Sequence, residues 1–151
     1  LARLAGKPGK SARKTDALAT ALRDTLAEAS RRGWGALVLD LSSTGAHGPL
    51  WQDLGFAQAR ALADTLRDAP LPVIVALPDA HDGHAWWVAL HAFAVVHARE
   101  TRYTLRAALD APPLADATVS LLRAAFDDEA ARIVLLAGGE IDGAELEARC
   151  P

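Results

Sequence analysis

Pro72-Val73-Ile74-Val75-Ala76-Leu77-Pro78-Asp79-Ala80-His81-Asp82-Gly83-His84-Ala85-Trp86-Trp87-Val88-Ala89-Leu90 is the stretch on which the fold turns. Val73 to Leu77 is apolar without interruption and rich in β-branched residues, the pattern of a strand buried on both faces in a parallel sheet. Pro78 to Gly83 reads as a turn, because proline and glycine punctuate regular structure. Ala85 to His91 reads as the start of a buried helix. A buried strand that turns directly into a buried helix is one unit of an α/β layer.

The same alternation extends in both directions. Upstream, Ala36-Leu37-Val38-Leu39 is a second short strand, and Ser42 to Pro49 is a loop rich in Ser, Thr and Gly. A helix is expected from about Gln52 to Arg67, with Leu54, Leu62 and Leu66 among its apolar positions, ended by Pro70 and Pro72. Before that strand, Thr15 or Asp16 can cap a helix running to about Arg32. Leu18, Leu22, Leu26 and Ala29 share one face of it, and Gly33 stops it. Leu1 to Lys14, with Gly6, Pro8, Gly9 and several basic residues, reads as a flexible segment ahead of a single domain from residue 15 to 151. Downstream, Phe93 to Val96 is a further strand. After Tyr103 the pattern turns helical, from Asp116 or Thr118 to Phe126, from Asp128 to Ala137, and from Asp142 to Arg149. Gly138-Gly139 separates the last two as a helix stop.

Composition narrows the class. The chain has 151 residues, 51% hydrophobic and 23% charged, which suits a folded domain and excludes a disordered one. Its net charge of −3, with both signs interspersed, gives no basic stripe for nucleic acid. The longest apolar runs are far too short to span a bilayer, and no secretory signal is visible, so a cytoplasmic location is expected. Cys150 is the only cysteine, so neither a disulfide nor a cysteine metal site forms within one chain. A start at Leu1 and an end at Cys150-Pro151 read as a piece of something longer.

The segment from Pro72 to Leu90 resembles the central stretch of the crotonase (enoyl-CoA hydratase/isomerase) superfamily, loosely "PVIAAVNGYALGGGLELAL". The family continues as "ACDIRIA" and then "FG", and Ala92-Phe93-Ala94-Val95-Val96-His97-Ala98 and Tyr103-Thr104 follow in register. Ile133 to Glu145 is similar to the family's "LLLTGRRIDAEEA", and the first helix and strand match its "LxxALxxA…vrvvvLtG". The resemblance covers about residues 15 to 146. It implies an α/β, crotonase-like (ClpP/crotonase) fold with a core sheet flanked by helices, truncated at both ends.

The departures from the family carry as much information. Crotonases hold a thioester oxyanion with two backbone N–H groups, the main stabilising effect in such chemistry. By register those donors fall at the turn Gly83-His84 and in the loop near Ala46, where the family's aromatic and "GaD" residues are absent. His84 brings a side chain where the family has glycine. The two hydratase glutamates correspond to Trp87 and to Arg106 or Ala107, and neither Trp87 nor Ala107 transfers protons.

The remaining candidates each have two readings. His81, Asp82 and His84 form either a substitute acid–base group, since histidine titrates near neutrality, or a solvated polar loop. Trp86, Trp87 and Tyr103 either line an acyl pocket or pack the core. His91 and His97 read as core or edge residues, and His47 lies in the altered oxyanion loop. His81 and His84 have the spacing of metal ligands without a third, so no metal is expected, and no cofactor.

The leading expectation is a catalytically inactive crotonase-like domain, a pseudoenzyme, with a structural or partner-binding role in a multidomain acyl-processing enzyme such as a polyketide synthase. The alternative is a thioester decarboxylase or isomerase using the histidine loop. Expected partners are a second copy, another domain or subunit of the complex, and acyl-CoA or acyl carrier protein. Nucleic acid and membrane are not expected.

Overall fold

The computed structural model describes residues 14–41, 54–77, 81–82, 84–109 and 112–149. The elements run α1 (Lys14–Arg31), β1 (Leu37–Asp40), α2 (Phe56–Arg67), β2 (Val73–Leu77), β3 (His81–Asp82), α3 (His84–Ala89), β4 (Ala94–His97), β5 (Arg102–Thr104), α4 (Arg106–Leu109), α5 (Pro112–Ala125), α6 (Asp128–Leu136), β6 (Glu140–Asp142) and α7 (Gly143–Arg149). The first expected segment lies outside these residues apart from Lys14. So does the loop from Ser42 to Pro49.

Where the sequence is periodic, the structure matches it. Leu22, Leu26 and Ala29 are buried along α1. Gly33 has φ 69°, and the Gly33 N–H bonds to the Ser30 carbonyl while the Trp34 N–H reaches the Ala29 carbonyl. That pair of bonds is a Schellman closure, which requires a left-handed residue at this point. Gly138, at φ 70°, closes α6 in the same way, with its N–H on the Leu135 carbonyl and the Gly139 N–H on the Val134 carbonyl.

β1, β2 and β4 form a parallel sheet in the order β1-β2-β4. Leu37 pairs with Val73, Leu39 with Val75, and Leu77 with His97. Side chains alternate across a sheet, so Leu37, Leu39, Val73, Val75 and Leu77 share one face. All five are buried in a single core with Leu22 and Leu26 of α1 and Leu62 and Leu66 of α2.

Four expectations are corrected. The one core sheet is joined by a second, small one, β3-β5-β6, with β3 parallel to β5 and β5 antiparallel to β6. The expected turn from Pro78 to Gly83 therefore contains a strand at His81–Asp82. β5 and β6 escaped notice because each is three residues with one buried apolar residue, Tyr103 or Ile141, too short for a period to show. The second helix begins at Phe56 and not Gln52: Gly55 is extended, and the Gln58 side chain accepts the Gly55 N–H at 3.0 Å, half of a capping box. α5 starts at Pro112, ahead of the expected Asp116 or Thr118, since proline is tolerated in a first helical turn.

Candidate functional site

In open α/β sheets the crevice for ligands lies beyond the carboxyl ends of the parallel strands. β1 and β2 both end at one edge of the sheet, and α3 begins just past the end of β2. His84 is the first residue of α3. Its Nδ1 lies 2.8 Å from the Leu54 carbonyl oxygen, thirty residues earlier in the chain. A carbonyl only accepts, so Nδ1 carries a proton. Nε2 is buried and has no hydrogen-bond partner among the described residues. The ring is thus held through Nδ1 at the start of α3 with its other nitrogen turned inward.

The next turn of α3 belongs to the core. Trp86 is fully buried, and its ring lies 5.6 Å from Tyr103 and 6.5 Å from His97, centroid to centroid. His97 and Tyr103 stack edge-on at 4.8 Å. Tyr103 is itself fully buried; its hydroxyl donates to the Leu77 carbonyl at 2.8 Å and accepts the Ala98 N–H at 2.8 Å. One phenol on the small sheet therefore fastens the ends of β2 and β4 on the large one. Burial among these rings pushes the His97 imidazole down to about 4, because the charged form loses its water. Its Nδ1, like the Trp86 indole nitrogen, is buried without a partner among the described residues.

Trp87 points elsewhere, because consecutive helical residues diverge by about 100°. It is 4% exposed and meets His91 edge-on at 4.6 Å. His91 is lowered from its ordinary value, mainly by burial and next by Arg67, with Asp64 opposing. Arg67 and Asp64 lie on α2, so the stripe His84, Trp87 and His91 runs alongside α2 from its start to its end.

The sequence candidates therefore separate. His84 stands where the strand ends converge. The backbones of His81 and Asp82 form β3, paired with Tyr103 and Thr104. Ala46, His47 and Gly83 lie outside the described residues. Trp86, Trp87 and Tyr103 are packed in the core. His91 and His97, expected to be core or edge residues, are lowered by burial, and each has one buried ring nitrogen, Nε2 and Nδ1 respectively, without a hydrogen-bond partner among the described residues. The Leu54 carbonyl was missed, since no sequence signal distinguishes one backbone carbonyl from another. No cluster of three or more His, Cys, Asp or Glu among the described residues is arranged to hold a metal ion. No helix among them is long and apolar enough to cross a membrane.

No protein-family profile matches the sequence, and no curated protein does at a significant level. Solved structures do match. An enzyme from a dehydratase/decarboxylase couple involved in polyketide β-branching superposes with a TM-score of 0.65 at 22% identity, over 91% of this chain and 58% of that one. A probable enoyl-CoA hydratase/isomerase from Mycobacterium abscessus superposes with a TM-score of 0.63 at 20% identity, over 89% of this chain and 57% of that one. The fold is thus of the crotonase class, as the sequence resemblance implied. The chain spans less than three fifths of the length of those two solved chains.

Proposed function

We propose that this chain is a non-hydrating crotonase-fold module of an acyl-thioester-processing assembly, serving a structural or partner-binding role. The observation that carries this reading is Trp87. It stands at the register position of the first hydratase glutamate and is an indole packed into the core, 4% exposed. Water addition to an enoyl thioester needs one group to activate water and one to protonate carbon. The second position, Ala107, supplies no such group either. The polyketide context belongs to one structural neighbour and extends to this chain as part of the proposal.

The test is hydration of crotonyl-CoA and crotonyl-pantetheine by the purified protein, followed by product analysis. The expected result is a rate equal to the buffer blank. Turnover at an enzymatic rate would sink the proposal.

His84 favours a second reading, an acyl-CoA or acyl-carrier-protein thioester decarboxylase or isomerase. A histidine held through Nδ1, with its Nε2 buried and unpartnered among the described residues, has the placement of an acid–base group. Under that reading, malonyl and β,γ-enoyl thioesters are turned over, and His84→Ala abolishes the turnover while the fold persists.

A further inference from the structure

Three buried ring nitrogens stand in one row along α3 and the turn that extends it. His84 Nε2, Trp87 Nε1 and His91 Nε2 are each without a hydrogen-bond partner among the described residues. The turn keeps helical bonding past Ala89, since the Leu90 N–H reaches the Trp86 carbonyl and the His91 N–H the Val88 carbonyl. Residues at i, i+3 and i+7 share one helix face, so the three rings follow one another beside α2. Trp87 is 4% exposed and meets His91 edge-on at 4.6 Å, yet the two ring nitrogens share no hydrogen bond.

A buried polar atom without a protein partner is costly, and ordered water is what ordinarily satisfies it. The spacing of the row suits water. Seven residues of helix rise about 10.5 Å. About three waters joined by hydrogen bonds of roughly 2.8 Å span a similar length, from one histidine to the other. The middle water accepts the Trp87 N–H, which can only donate. Both ends of the row approach solvent. His84 and His91 are half-buried, and Arg67 and Asp64, whose charges act on the His91 ring, have side chains 59% and 46% exposed.

We infer that a file of ordered waters between α2 and α3 joins His84 Nε2 to His91 Nε2 past the Trp87 indole, and carries protons between His84 and solvent at the Arg67 end of α2. Each hop breaks one O–H or N–H bond and forms another, so a proton entering at His91 is matched by one delivered at His84 Nε2, and the reverse motion removes one. Trp87 anchors the file and takes no proton. The route recharges His84 while a ligand occupies the crevice at the strand ends. That use rests on the acid–base reading of His84 given above; the file itself does not.

The test is NMR on the isotope-labelled full chain, with Trp87→Phe assigning the Trp87 indole signal by its loss. A direct cross-peak between that indole proton and water is expected, and its absence would overturn the inference. In His91→Phe an apolar ring closes the solvent end, so exchange of the Trp87 indole proton with solvent should slow by about tenfold or more while the Trp86 indole keeps its rate. A merely loosened fold would move exchange the other way. Unchanged or faster exchange at Trp87 would therefore overturn the route, and the wild-type cross-peak alone decides if the variant does not fold. A cross-peak without turnover of malonyl or β,γ-enoyl thioesters sinks only the acid–base reading; turnover without the cross-peak sinks only the file.

Discussion

The two sheets of this domain are held by different physics. The β1-β2-β4 sheet rests on side-chain burial, with continuous apolar strands against the long amphipathic helices α1 and α2. The β3-β5-β6 sheet has few apolar residues to bury and is held by close backbone fits. Gly143 donates its N–H to the Thr101 carbonyl at 2.8 Å, and a Cβ there would stand 2.0 Å from the Ala98 carbonyl oxygen. Gly139, at φ 81°, accepts the Leu105 N–H at 2.8 Å, and a Cβ there would stand 2.8 Å from Leu109. Tyr103 joins this sheet to the other through a single hydroxyl. The first sheet should tolerate apolar exchanges of equal volume, while the second should fail at single atoms.

The sharpest way to break this comparison is Gly143→Ala. The obstructing atoms are backbone, which cannot rotate away, so a loss of about 3 kcal/mol or more is expected in urea unfolding. Gly35→Ala is the control, because nothing lies within 4 Å of a Cβ there, and a change within about 0.5 kcal/mol is expected. Equal effects of the two substitutions would remove the argument for backbone fit.

Acid should act on the seam between the sheets. The folded His97 is held at about 4, below the roughly 6.5 of an unfolded histidine, so the unfolded chain binds more protons between those values. Stability is then full above about pH 6.5 and falls as the pH drops toward 4, by an amount on the order of 2–3 kcal/mol. The lowered His91 contributes with the same sign. Unfolding midpoints measured across this range should slope less in His97→Leu; an unchanged slope would place the acid sensitivity elsewhere.

Tyr103→Phe should cost about 1–3 kcal/mol, since it leaves the buried Leu77 carbonyl without that donor while keeping the ring. Trp86→Phe in the same cluster should be milder, within about 1.5 kcal/mol, because the lost area is offset by removal of an unpartnered indole N–H. If Trp86→Phe proved the worse of the two, the pin between the sheets would be the indole packing and not the phenol. The smallest effect is expected just past the exposed end of α1. Arg32→Ala breaks a pair with Glu28 at 2.5 Å between well-exposed side chains and should change stability by no more than about 0.5 kcal/mol.

The sequence alone determined the parallel-sheet half and the class of the fold. Val73 to Leu77 could only be a buried strand, the leucines of α1 could only face a core, and Gly33 and Gly138 could only sit past helix ends, because burial, periodicity and left-handed backbone are local properties of a chain. The tertiary structure decided the features that arise from contacts distant in sequence. It made a strand of His81–Asp82, brought Tyr103 across to β2 and β4, and joined His84 to the carbonyl of Leu54. It also separated the adjacent Trp86 and Trp87, one to the seam between the sheets and one toward α2, and left one face of the sheet open at Val38 and Val96. Those features rest on hydrogen bonds to backbone atoms and on which faces remain uncovered. Neither is written in the identity of a residue, because a carbonyl or a valine is the same in sequence wherever the fold places it.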